Sequence, residues 1–150
     1  MPGFINSIQK TVTITDLAYT AYDSAGGLIT FSNAVRELGG SAYVRSVKLA
    51  GVVAVAYTLW FLNADIATPA ADTAPFTIVV ADELKYLGHV LIPAANYVAA
   101  QSAFNVCTVR NVNLLVKAAA ASQDIYGYLV APVTDPNTTT IYLTVDFEPI

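Results

Sequence analysis

Apolar and polar residues alternate at period two along much of the chain, while helical periodicity is nearly absent. The clearest case lies near the end, where Ile141, Leu143, Val145 and Phe147 alternate with Thr140, Tyr142, Thr144 and Asp146. Successive side chains of a strand point to opposite faces, so this segment has one core face and one wet face. The stretch from Val44 to Asn63 is different, because no charge occurs between Lys48 and Asp65. Val55, Tyr57, Leu59 and Phe61 share one parity, and Ala56, Thr58, Trp60 and Leu62 share the other. A strand apolar on both faces lies mid-sheet with something covering each side, or reserves one face for another protein.

The same pattern predicts strands at Thr11–Thr15, residues 28–35, Tyr43–Gly51, Val53–Leu62, His89–Ile92, Gln101–Arg110, Leu114–Ala118 and Ile125–Ala131. Gly26-Gly27 and Gly39-Gly40 are turn signals, and the strands on either side of Gly51 are expected to pair antiparallel. Residues 64–75, with two prolines and many small residues, predict a long surface loop. Asp82 and Glu83 before Leu84, Tyr86 and Leu87, with Gly88 as a cap, predict one short helix near residues 80–87. Residues 1–10 carry Phe4, Ile5 and Ile8 and are expected to be an N-terminal arm that packs back or docks on a neighbour. Residues 11–150 are expected to form a single β-sandwich domain. Eight or nine short strands without a βαβ pattern make an all-β fold, an antiparallel two-sheet sandwich of jelly-roll type, with a closed barrel second.

Composition sharpens the picture. Hydrophobic residues are 55% and charged ones 12%, against roughly 25% charged in average soluble domains. So little surface charge suggests that part of the surface is covered by partner subunits. The formal charge is −4 and the seven basic residues are scattered, which argues against a nucleic-acid groove. The uncharged runs are too short or too interrupted by polar residues and proline for a membrane helix, and the start lacks the pattern of a secretory signal.

Candidate chemistry is sparse. His89 is the only histidine and Cys107 the only cysteine, and neither has a partner motif. Metal sites need several converging ligands, and no such spacing occurs. Asp82-Glu83 are adjacent and diverge on any regular element, and Asp16, Asp23, Asp65 and Asp72 lack an Asp-x-Asp spacing for calcium. Asn137 begins a glycosylation sequon that reads equally as a turn. No enzyme activity, metal or cofactor is therefore expected. Aromatic residues remain: Trp60, Tyr126, Tyr128 and Tyr142 lie opposite the inward parity of their strands. They form either an interface cluster or a second core.

Several stretches together resemble the capsid decoration, or cement, proteins of tailed phages. They are Gly26-Gly27 leading through a strand to Asn33, Arg36 and Gly39-Gly40; VRSVKLAG followed by TLWFLNADI with Phe61; FTIVVADELKYLGHVLI; DIYGYLVAPVTDP; and the closing TIYLTVDFEPI. The resemblance covers roughly residues 17–148. It implies a virion protein, made in the host cytoplasm, that binds the outside of an icosahedral capsid. It implies as partners the major capsid protein and further copies of this chain, as a homodimer or homotrimer. Phe4, Ile5, Ile8, Trp60, Tyr126, Tyr128 and Tyr142 are the candidate contact residues. The alternative is a carbohydrate- or receptor-binding jelly roll of a phage fibre or tail, using exposed aromatics to stack on sugar rings.

Overall fold

A computed structural model describes residues 3–15, 19–51, 53–101, 104–131 and 140–150. Nine strands dominate: β1 (Asn6–Val12), β2 (Ser24–Phe31), β3 (Ser41–Gly51), β4 (Tyr57–Leu62), β5 (Tyr86–Ile92), β6 (Val98–Gln101), β7 (Phe104–Lys117), β8 (Ile125–Val130) and β9 (Ile141–Pro149). One sheet has the order β1-β9-β3-β7-β6 and the other β2-β8-β4-β5. Every pairing is antiparallel.

The pairings are nested. β4 pairs with β5, β3 with β7, β2 with β8 and β1 with β9. The chain is thus one long hairpin, folded over so that alternate pairs fall in opposite sheets. This is the jelly roll, with β6 added as a short hairpin on β7.

β4 lies mid-sheet between β8 and β5, and both its faces are covered. Tyr57, Leu59 and Phe61 point into the space between the sheets, where they join the main core. Leu62 on the opposite parity is buried in a second cluster with Ile66, Ala70, Tyr128 and Val130, against which Trp60, Phe76 and Tyr126 pack. The loop after β4 thus folds back as a lid on the outer face of the four-stranded sheet. In the main core, Phe31 of β2 and Phe61 of β4 meet Phe147 of β9 from the facing sheet. Their ring centroids lie 5.5–6.3 Å apart, within the usual range for tilted and edge-on aromatic pairs.

Several expectations need correction. β3 and β4 do not form a hairpin about Gly51; they belong to different sheets. Both carry an inward apolar parity, so they face each other across the core instead of pairing edge to edge. The first strand begins at Asn6, so the second half of the expected arm is sheet, in a strand paired from Asn6↔Phe147 to Val12↔Ile141. Lys10 falls on the parity of Ile8 and Val12 and hides the alternation there. Gly26-Gly27 is not a turn between strands. Both glycines lie within β2 at φ 79° and 72°, where the register with β8 shifts between Ala25 and Ile29.

The strands expected at Gln101–Arg110 and Leu114–Ala118 are largely one strand, β7, interrupted where Asn111 and Asn113 take left-handed φ of 56° and 52°. The helix expected near 80–87 is a single 3-10 turn, Val80–Asp82, because pairing with β4 claims the chain from Tyr86. Gly88 is a β5 residue, not a helix cap. A Cβ there would lie 2.6 Å from a methyl of Leu114, so the glycine lets the two sheets approach. Asp16 and the sequon at Asn137 lie outside the described residues.

Candidate functional site

The aromatic residues converge on the outer face of the four-stranded sheet. Trp60 pairs across the strands with His89 of β5 and Tyr128 of β8. Its ring lies 4.8 Å from the His89 ring and 5.5 Å from those of Phe76 and Tyr86. Phe76 in turn sits 5.0 Å from Tyr128. Tyr86 and His89 share a hydrogen bond between the phenol oxygen and Nδ1. The cluster is a packed satellite core with His89 at its exposed margin.

Two aspartates fasten the loop over this cluster. Tyr128 is wholly buried, and its hydroxyl donates to Asp65 Oδ1 at 2.6 Å. Lys85 Nζ donates to the Asp65 carbonyl at 2.8 Å and to Asp82 Oδ1 at 3.0 Å. Asp82 Oδ1 also accepts from the Ala67 N–H at 2.7 Å, tying the loop to the 3-10 turn. The Asp82 side chain is inaccessible to solvent. Burial pushes its carboxyl up, but the Lys85 hydrogen bond, the N–H groups of Ala67 and Val79 and the ammonium charge prevail and hold it below its ordinary value.

Asp72 plays the same part near the start of β2. It accepts hydrogen bonds from the Tyr19 hydroxyl at 2.6 Å, the Gly26 N–H at 2.7 Å and the Thr15 hydroxyl at 2.9 Å. Burial raises its pKa, but these donors outweigh it and the net shift is downward. The Tyr19 phenol, desolvated and donating to Asp72, is pushed up to about 12.

The signs give a pH dependence. A carboxyl depressed in the folded state contributes stability that is full above the ordinary value of about 3.9 and is lost as pH falls through the lower folded value. Tyr19 contributes stability that is full below about pH 10 and is lost as pH rises through its folded value. Amide exchange followed down from pH 5 should therefore show the segments held by Asp72 and Asp82 opening before the β3·β7·β9 amides. Simultaneous opening of both would contradict this account.

The structure distributes the candidate contact residues unevenly. Phe4, Ile5 and Tyr142 are exposed, whereas Ile8 packs against the main core. Trp60 and Tyr126 are half-buried in the satellite core and Tyr128 is fully internal, which removes Tyr128 as a surface contact. Trp60→Ala should therefore cost about 2–3 kcal/mol, less than the roughly 3–5 for a fully buried aromatic. Calorimetry together with a size measurement checks this; an unchanged melting temperature with a changed oligomer size would return Trp60 to the surface.

The glycines and polar residues of the family-like motif serve local geometry. Asn33 takes φ 55°; its N–H donates to Asp124 and its carbonyl accepts from Asn6 Nδ2. The Arg36 carbonyl accepts from Gln123 Nε2, the Gly39 N–H donates to the Ser122 carbonyl and the Gly40 N–H to the Glu37 carbonyl. Phe61 is core.

Sequence patterning missed the side chains that folding leaves most exposed. Val80 on the 3-10 turn and Leu84 just after it are 88% and 92% exposed, and Leu91 of β5 and Val98 of β6 are 62% and 70% exposed. Val80 and Leu84 fall in an apolar run, FTIVVADEL, that has no consistent inward parity.

Among the described residues no group of three or more His, Cys, Asp or Glu side chains is arranged to hold a metal ion. Cys107 is buried, and desolvation pushes its thiol above the ordinary value, away from a nucleophile's range. Among the described residues no helix is long and apolar enough to cross a membrane.

No protein-family model matches the sequence, and no curated protein matches it. Solved structures similar to the chain include one of Desmodium yellow mottle tymovirus, 13% identical, covering 99% of this chain and 87% of that one with a TM-score of 0.29. Another is the coat protein of Tobacco streak virus, 10% identical, covering 95% and 86% with a TM-score of 0.27. A structure of the Tobacco streak virus coat protein dimer is 11% identical, with the same coverage and a TM-score of 0.26. The jelly-roll assignment stands on the strand order, not on these likenesses.

Proposed function

We propose that the protein is a structural component of a virion, seated on the outside of an icosahedral phage capsid, where it cements neighbouring major capsid subunits. The observation that carries this reading is the apolar surface left after folding. Phe4 and Ile5 before β1, Val80 and Leu84 on a turn held from beneath by Asp82, and Leu91 and Val98 all face outward. A turn fixed by a buried carboxylate presents its side chains with little ordering cost on binding. With only 12% charged residues, the chain suits a surface covered by neighbours. Jelly rolls recur in capsid and lectin domains, and the fold is compatible with this reading.

Binding that favours the expanded shell stabilises it by mass action, and many equivalent sites multiply the effect. Copies of this chain, as a homodimer or homotrimer, then bridge adjacent capsid subunits. The alternative is a carbohydrate- or receptor-binding jelly roll, but of its aromatics Trp60 and Tyr128 pack against the protein itself. High-resolution imaging of purified virions tests the proposal. Density for this chain over capsid joints is the expected result, and particles without it on the shell overturn it.

A further inference from the structure

The outer face of the five-stranded sheet carries a second, chemically different feature. It is an open trough of about 410 Å³. One end is a row running across three strands, Ser7 of β1, Asp146 of β9 and Ser46 of β3, which are successive cross-strand partners. Both serine hydroxyls donate to the Asp146 carboxylate, which fixes its orientation and leaves each serine oxygen free to accept. The next row is Gln9, Thr144, Lys48 and Thr108, again in direct register. Lys48 makes no ion pair among the described residues, although it shares the trough with Asp146.

One strand step further, the trough becomes aromatic. Tyr142 is 41% exposed and its ring lies 6.5 Å from that of half-buried Phe104. A smaller hollow of about 240 Å³ at this end shares Gln9, Lys48 and Thr144 with the first, so the two adjoin. From Asp146 to Tyr142 the floor runs four residues along β9, about 13 Å at the rise of a strand. Beyond Asp146 along the sheet, Arg45 donates to Glu148 and Asn113 and lies over the Tyr43 ring.

We infer that this trough binds a neutral oligosaccharide. A sugar ring offers hydroxyls that both donate and accept, and the trough offers matching partners of both kinds: a fixed carboxylate and hydroxyl oxygens to accept, an ammonium and an amide to donate. It also has an apolar ring face, which Tyr142 and Phe104 meet at one end. The charges argue for this occupant over others. One ammonium and one carboxylate leave the lining near neutral, a poor match for a polyanion such as nucleic acid. The hydroxyl-rich centre lacks the apolar core that a second protein chain would bury. The site lies on the opposite sheet from the aromatic satellite core, and its failure would leave the virion reading untouched.

The test is a glycan array probed with the whole protein, with bacterial surface polysaccharides and neutral storage and cell-wall glucans as separate arms. The best binder is then titrated against wild type, Tyr142→Ala, Asp146→Asn and Lys48→Met. Saturable binding to a neutral glycan is expected, weakened roughly tenfold or more by Tyr142→Ala and by loss of either charged partner. Tyr142 is exposed, so its variant should keep the wild-type melting temperature and serves as the control for folding. No binding on either arm, binding that all three variants retain, or a Tyr142→Ala protein altered only in oligomer size overturns the assignment. The arm that responds identifies the source of the glycan.

Discussion

Phe61→Ala should lower stability by about 3–5 kcal/mol, the range for removing a fully buried aromatic ring. Phe61 is wholly inaccessible and touches Phe31 in its own sheet and Phe147 in the other. Its removal leaves a void between two sheets that are each stiffened by their own ladders, so neither can settle far into the gap. Phe61→Leu, which keeps most of the volume, should cost less than about 1.5 kcal/mol if its neighbours repack. Urea denaturation distinguishes the two through the midpoint at constant slope. A loss below about 1 kcal/mol for the alanine variant would show that the sheets close on the gap and that the three rings do not set their spacing.

Gly26→Ala should cost about 2–5 kcal/mol, combining a left-handed backbone with overpacking. The residue sits at φ 79°, and an added Cβ would lie 2.4 Å from Cγ1 of Val12. Val12 is buried and β-branched, so its methyl has no alternative rotamer at low cost. Gly27 provides the contrast. Its φ is 72°, but an added Cβ meets only backbone atoms at 3.4 Å or more. Gly27→Ala should therefore cost about 1–2 kcal/mol, the conformational part alone. Equal losses in the two variants would mean that the Val12 contact relaxes freely.

Much of the sandwich was legible in alternation. The inward parity of β9 and the two apolar parities of β4 follow directly from side-chain spacing. Partner choice was less legible. Parity states which side of a strand is apolar but not whether the facing element lies beside it or across the core, and so it predicts one hairpin for β3 and β4, which lie in different sheets. Alternation places the first strand at Thr11–Thr15, five residues past the true start of β1, because Lys10 occupies the parity of Ile8 and Val12. Tyr128 looked available because nothing in residues 64–75 reads as a cover. That loop has few large apolar residues and is held instead by Asp65, Asp82 and Lys85, whose pairings span distances no local pattern reports. The trough escaped notice for a similar reason, since its rows are assembled from four strands that are remote in sequence.

The enclosure of each strand pair by the next sets a timetable for the polypeptide. Among the nested pairs, joining β4 to β5 closes the shortest detour, and each outer seam becomes entropically accessible once the pair inside it has drawn the flanking chain together. The seam of β1 with β9 is sewn last. Until then β9 presents an unclaimed margin to any passing extended segment, and the molecule is most open to wrong company in the moments before it is finished.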